Sequence, residues 1–466
     1  MNKLILILIF IFSGGSFGQL QWSQVTDTNF NQELYSLYSD SVNDKLFIGG
    51  AFKYYGNSLL KGVAQWDGFQ IQNMDCGLGG CGNGICGGVR EFKYFKGELF
   101  ALFYEDSIGC QNIQHVAKWN GSNWINLNQN YFLTNSPVHP SRIQDIDTVM
   151  FVCGGFDSVY NYKTQGIVQF NGISWSSSLS CSLFTNSYLL VHPIYKFNNE
   201  IYAQNFLIDT LGNRQIFSRW RNGCWEKVPG AFSNISGNIW KMIEYKNELY
   251  IAGSFDPLHD PMAPGYSIVR WDGTRWDDLN GGIRLSNPSY LPFVYDLAVF
   301  NNELYVFGYF QKAGSLDVSN IAKWDGFNWC SLGSTFDREI SCAVFYHDSL
   351  FIGGIFKKIN NDSITYFAKS YVGNYTDTCE QVISTDEIKN FPIHVFPNPV
   401  YQKMQVENER LLFSAFIIID LSGRHILYSK VNSRKLVIDL SEISSGVYFL
   451  HLETKEGRVV KKFVKE

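Results

Sequence analysis

The chain has 466 residues, of which 45% are hydrophobic, 16% aromatic and 17% charged, with 41 Gly and a net charge of −5. Charge is sparse beside the ~25% of an average soluble domain, while aromatics and Gly are abundant. That mix excludes a disordered, collagenous or coiled-coil chain and favours short strands joined by tight turns. The acidic balance gives no electrostatic reason to bind nucleic acid or an anionic membrane.

Residues 1–18 read as a signal peptide. Lys3 supplies the positive start, and Leu4–Phe12 is an apolar core too short to span a bilayer. Ser16 and Gly18 put small residues ahead of a cut before Gln19. No Cys follows that core to carry a lipid, and no later segment has the ~18 apolar residues of a transmembrane helix. The mature chain is therefore expected to be exported. Its ten Cys suit an oxidising compartment, and an even number there predicts disulfides. Cys76, Cys81, Cys86 and Cys110 gather in and after a Gly-rich stretch, without the paired C-x2-C spacing of a zinc site. Cys330 and Cys342 are expected to bridge a turn between successive strands. No metal or cofactor is expected.

From residue 46 onward three lines recur with a period of about 50 residues. The first is LFIGGAF (46–52), LFALFY (99–104), MFVCGGF (150–156), IYAQNF (201–206), LYIAGSF (249–255), LYVFGYF (304–310) and LFIGGIF (350–356). The second follows each at a nearly fixed offset: QWDGFQI (65–71), KWNGSNW (118–124), QFNGISW (169–175), RWRNGCW (219–225), RWDGTRW (270–276), KWDGFNW (323–329), and a worn KSYVGNY (369–375). A third, such as YKFNNEIY (195–202) or LAVFNNELY (297–305), precedes the first as strand, polar turn, strand. Each repeat thus holds four short strands, the last two joined by an Asp-Gly or Asn-Gly hairpin for which a type I′ turn is expected. The second strand is apolar on both faces and must be covered on both.

Seven such units, each flanked by neighbours, fit a seven-bladed β-propeller, which protects its edges by closing into a ring. Gln21–Val25 has the pattern of a fourth strand and precedes the first repeat, while the seventh repeat has a worn fourth strand. The start of the mature chain is therefore expected to complete the seventh unit, with residues 373–379 as the alternative. The period, the Gly-Gly pairs (49–50, 154–155, 353–354) and the Trp-x-Gly lines resemble kelch and galactose-oxidase-type propellers over residues 19–380.

Composition shifts after residue 380. Every Trp lies between Trp22 and Trp329 and every Cys precedes Glu380. Residues 381–392 read as a linker, and 393–466 as a small antiparallel, Ig-like β-sandwich of alternating strands. Its motifs VFPNPV (395–400), IIIDLSGRHIL (417–426), IDLSEISSGVYFLHL (438–452) and EGRVVKKFVKE (456–466) resemble the type A C-terminal sorting domain of type IX secretion cargo. Pro397, Asn398, Pro399, Gly423, Gly446 and Lys462 fall on the motif positions. The resemblance implies type IX secretion machinery as a partner and a final location outside the cell or on its surface.

No H-x-H, H-E-x-x-H, G-x-S-x-G or P-loop pattern is present. Asp256, His259 and Asp260 lie in a loop whose Asp and Pro content fits a turn better than a cation site. The repeat-position Trp residues are expected to pack between units. The aromatics that break the period, Tyr131, Phe132, Tyr290 and Phe293, are the ligand-binding candidates. The expected function is a non-enzymatic binding or adhesion module for a glycan or protein. The alternatives are a hydrolase, lyase or oxidase acting on extracellular polysaccharide, and a purely structural surface protein.

Overall fold

The computed structural model describes residues 19–372 and 393–466, apart from 79–80, 83–84, 87, 104–114, 128–131, 134–139, 157, 160–161, 165, 178, 180–190, 209–213, 233–236, 409–410, 421–424 and 455–456. The expected signal peptide and linker, Tyr131, Cys110 and Gly423 lie outside the described residues. The described chain is all-β, with no helix among these residues. It divides into two compact units, Met1–Cys379 and Glu380–Glu466.

In the first unit, seven antiparallel sheets have four strands each. Their first strands are Leu34–Asp40, Val89–Phe95, Pro140–Ile146, Val191–Phe197, Asn238–Tyr245, Phe293–Phe300 and Ile340–Tyr346, and they head sheets one to seven. In sheets one to six the strands follow chain order. In sheet seven the fourth strand is Trp22–Gln24, paired antiparallel with Phe367–Tyr371 in the register Trp22 to Ser370. The start of the described chain thus completes the last sheet. Each first strand lies against that of the next sheet, and sheet seven's lies against sheet one's, so the seven form a closed cycle of neighbours.

The doubly apolar second strand explains this stacking. In sheet one, Leu46 and Ile48 share a core cluster with Cys342 and Phe351 of sheet seven. Phe47, between them in sequence, shares another with Phe92 and Leu99 of sheet two. Successive side chains of a strand point to opposite faces, so one strand serves two interfaces. Each such side chain is worth ~1.5–3 kcal/mol on burial.

The turn chemistry differs from the expectation. In sheets two, four, five, six and seven the hairpin between the first two strands is a two-residue turn with both central residues at positive φ, as in Asn301 (48°) and Asn302 (61°). These are the type I′ turns. The Asp-Gly and Asn-Gly hairpins mostly have four-residue loops: Trp66 pairs with Ile71 and Trp324 with Trp329. There the Asp or Asn caps the loop, as Asp325 Oδ1 accepts from the amides of Phe327 (2.7 Å) and Asn328 (2.7 Å). Only Gly takes positive φ, 106° at Gly326. Sheet four alone keeps the expected two-residue form, at Asn222 and Gly223.

The second unit has one sheet of four strands and one of three around a single core of Val400, Met404, Phe413, Ile418, Leu450 and Phe463. Its final strand, Gly457–Lys465, is at one edge of the larger sheet.

Candidate functional site

All seven first strands carry the same irregularity. The pairing register with the second strand slips by one residue near the start, leaving one extra residue unpaired: Tyr35, Arg90, Ser141, Pro193, Trp240, Tyr295 and Ser341. A bulge of this kind re-aims a side chain and is common beside functional sites. In sheets one, three, five, six and seven a second-strand Gly faces the bulge, whereas in sheets two and four Leu102 with Phe103 and Ala203 with Gln204 face it. A Cβ on Gly253 would lie 1.8 Å from the carbonyl oxygen of Asn238, and one on Gly308 would lie 1.9 Å from that of Phe293. Where the repeat line carries this Gly, it is the partner of the bulge.

The unpaired residues and their successors meet one another in front of the cycle of first strands. The Arg90 guanidinium lies 3.7 Å above the Tyr35 ring. The rings of Trp240 and Tyr295 meet edge-on at 5.7 Å, and Phe293 stacks on Tyr295 at 5.8 Å. Arg142 of sheet three donates from Nε and Nη2 to the carbonyl oxygen of Trp240 in sheet five, both at 3.3 Å. The guanidinium therefore passes in front of sheet four.

Residues just after the bulges tie sheet one to two, two to three, five to six and six to seven. Ser36 Oγ donates to Val89 O (3.2 Å), and Glu91 Oε2 accepts from the Ile143 amide (2.9 Å). Lys241 pairs with Asp296 (2.8 Å), which also accepts from the Ala343 amide (3.0 Å). Desolvation works against the Lys241 ammonium, but attraction from Asp296 and then Glu91 outweighs it and holds the pKa above the usual lysine range. The Lys241 side chain is nevertheless 40% exposed, so solvent reaches this end of the strands. Burial raises Tyr35 and Tyr295 to about 12 each.

One pair has the outline of a nucleophile and base: Ser141 Oγ is 2.6 Å from His192 Nδ1. Burial, then the nearby Arg142, pushes His192 down to about 3. Ser141 is only 2% exposed. A base so far below neutrality is a poor proton acceptor, and a buried hydroxyl meets no substrate.

Of the expected ligand residues, Tyr131 lies outside the described residues and the others fall on separate elements. Phe132 begins a two-residue strand, Phe132–Leu133, paired with Ser158–Val159. Tyr290 is exposed in the loop before sheet six. Phe293 opens that sheet's first strand and joins Tyr295 and Trp240. Sequence reasoning missed Trp240, Tyr295 and Arg90; their signal was one position per repeat that is Tyr, Arg, Ser, Pro or Trp, most often directly after an apolar residue. The Trp residues of the second line pack as expected: Trp66, Trp124, Trp225, Trp271 and Trp324 are all buried. Asp256 spends its carboxylate on its own loop, accepting from the amides of Leu258 (2.9 Å) and His259 (2.8 Å).

The expected Cys330–Cys342 bridge does not form. Cys342 is a free, buried thiol, with its pKa raised by burial. On the first strand of sheet seven, Cys342 lies against Gly353 of the neighbouring strand and shares a core cluster with Leu34 of sheet one, whereas Cys330 ends the fourth strand of sheet six. The two strands are at opposite edges of different sheets, too far out of register for the short reach of a disulfide. Cys76 and Cys330 are disulfide-bonded, as is Cys224. Cys81 and Cys86 sit opposite each other in a two-residue hairpin ladder.

In the second unit, Pro397, Asn398 and Pro399 lie directly before Val400, which bridges in parallel to Lys465 of the final strand. Lys462 is exposed on that strand, and Gly446 opens the strand beside it.

Residues 394–466 match the family described as the secretion system C-terminal sorting domain. The chain therefore carries a type IX sorting domain, and it is a protein sent to the cell surface or beyond it. No curated protein matches the chain. Among solved structures it is similar to the extracellular domain of BT4673 from B. thetaiotaomicron, with 12% identity and a TM-score of 0.45, over 97% of this chain and 58% of that one. It is also similar to PorZ of Porphyromonas gingivalis, a surface component of the type IX secretion system, with 12% identity and a TM-score of 0.37, over 93% of this chain and 66% of that one.

Proposed function

We propose that the first unit is a seven-bladed β-propeller of kelch or galactose-oxidase type, and that it is a non-enzymatic binding module for an extracellular glycan or protein. The propeller reading is supported by the closed cycle of first strands and by the N-terminal strand in sheet seven. The binding reading rests on one observation: the repeated bulges turn Trp240, Tyr295 and Phe293 into a ring-lined patch at one end of the strands, with Lys241 beside it. Flat rings next to a charged donor suit the apolar faces and hydroxyls of a sugar, or an aromatic-seeking peptide. Phe293 belongs to that patch and Tyr290 precedes it in the loop before sheet six; Phe132 lies in a separate short strand.

The enzymatic alternative needs at least three acid, base or nucleophilic groups converging within hydrogen-bond reach. The charged groups described above are instead engaged in pairs or with backbone, and His192 is held neutral.

The test is binding of the secreted chain to an array of glycans and extracellular polysaccharides, with denatured chain as control. A saturable, fold-dependent hit that Trp240→Ala weakens at least about tenfold supports the reading, in line with the weight of buried aromatic anchors. A hit that Trp240→Ala and Tyr295→Ala leave unchanged moves the site elsewhere.

A further inference from the structure

The sorting domain contains two sequence motifs at opposite ends, VFPNPV (395–400) and the terminal KKFVKE (461–466). The fold merges them. An edge strand presents unpaired amides and carbonyls to solvent. On the final strand, from Lys462 to the terminus, residues 398–400 satisfy four of these groups. Asn398 Nδ2 donates to Lys462 O (3.3 Å), and Asn398 Oδ1 accepts from the Val464 amide (2.9 Å). The Val400 amide then donates to Val464 O (2.8 Å), and Val400 O accepts from the Glu466 amide (2.9 Å).

The division of labour follows from the proline pair. Pro397 and Pro399 have no amide proton, so the backbone around Asn398 cannot continue a ladder. A side-chain amide carries the same donor and acceptor as a peptide group. Asn398 supplies through its side chain the pairing that its neighbours cannot, and Val400 resumes it through the backbone.

We propose that Asn398 is a positioning residue of the sorting signal: the export machinery reads the terminal strand docked on residues 398–400, not a free C-terminal peptide. Asn398 acts by holding Lys462–Glu466 in place.

The test uses the full chain in a host with type IX secretion, and reads two quantities on each variant: the extracellular fraction, and hydrogen exchange at Val464 against Leu450 in the sheet interior. Asn398→Ala removes both side-chain bonds. Val464 is expected to exchange about fivefold to tenfold faster, the scale of one lost hydrogen bond. Leu450 is expected to stay protected, and the chain to accumulate in the periplasm. Asn398→Asp keeps the acceptor for the Val464 amide; it is expected to retain protection there and to be exported within about twofold of wild type, which gives a readout even if the Ala variant fails to fold. Faster Val464 exchange with unchanged export would overturn the proposal. So would lost export in either variant while Val464 remains protected, because Asn398 would then act by direct contact.

Discussion

The ring of Trp66 in sheet one lies 5.1 Å from that of Phe351 in sheet seven, where two ends of the repeat array meet. Elsewhere the same contact includes a hydrogen bond: Trp271 Nε1 donates to Tyr202 OH (3.4 Å), and Trp324 Nε1 to Tyr250 OH (3.3 Å). Sheet seven has Phe in place of that Tyr, and the buried Trp66 Nε1 has no hydrogen-bond partner among the described residues.

Two opposite outcomes follow for that contact. Phe351→Tyr supplies the missing acceptor and is expected to stabilise the first unit by about 1 kcal/mol. Trp66→Ala removes a large buried side chain and is expected to cost about 3–5 kcal/mol. Thermal or denaturant unfolding of the two variants beside wild type reads both signs; a destabilised Phe351→Tyr would mean the site has no room for the hydroxyl.

The bulges predict a steep contrast among glycines. Gly308→Ala forces a methyl against the Phe293 carbonyl at 1.9 Å, a collision with backbone. Gly97 has open space around the position of a Cβ, so Gly97→Ala meets only the strain of its positive φ. Gly308→Ala is expected to lose more stability, by at least about 2 kcal/mol, as overpacked cores do. It is also expected to displace Phe293 and weaken any ligand held by the Phe293–Tyr295–Trp240 patch. Equal melting temperatures for the two variants would contradict the bulge geometry.

His192 makes stability depend on pH with a defined sign. Its folded pKa is pushed down to about 3 by burial and Arg142, while the unfolded value is near the ordinary ~6.5. Between these values the unfolded state binds more protons, so stability rises with pH across that window and is lost as pH falls from about 6.5 toward 3. His192→Gln is expected to flatten this part of the curve. Denaturant midpoints of both proteins at several pH values check it, and parallel curves would rule His192 out as the cause.

Lys241 acts in the opposite direction and range. Its folded pKa is raised by Asp296 and Glu91 against desolvation. Its contribution is present below the ordinary lysine range and is lost as pH rises through the folded value. The stability gap between wild type and Lys241→Met is therefore expected to narrow only in strongly alkaline solution.

The thiol assignments are directly testable. Alkylation of native protein is expected to leave Cys153 and Cys342 unlabelled, because both are buried. Denaturation without reduction should expose them, while the peptide with Cys330 should label only after reduction. Mass spectrometry reads all three, and a Cys330–Cys342 cross-linked peptide would contradict the fold.

Much of the architecture was legible in the chain because it repeats. The period, the two-faced second strand and the spare strand at Gln21–Val25 each follow from which side chains must leave water, and burial is a local property of a pattern. The motifs of residues 394–466 were equally plain. The Gly of LFIGG and LYVFG recurs visibly along the sequence, but without its reason. The reason is tertiary: the bulge brings the first strand's carbonyl to where a Cβ would be. The same holds for the contact of Trp240 with Tyr295. These residues belong to different repeats and are unremarkable in each; only the cycle of first strands brings them into contact. Cys330 and Cys342 failed for the converse reason: near neighbours in sequence, they sit on strands that the fold sends to opposite edges of different sheets. Asn398 and Val464, far apart in the chain, are joined because one edge strand needs partners that only a fold can bring.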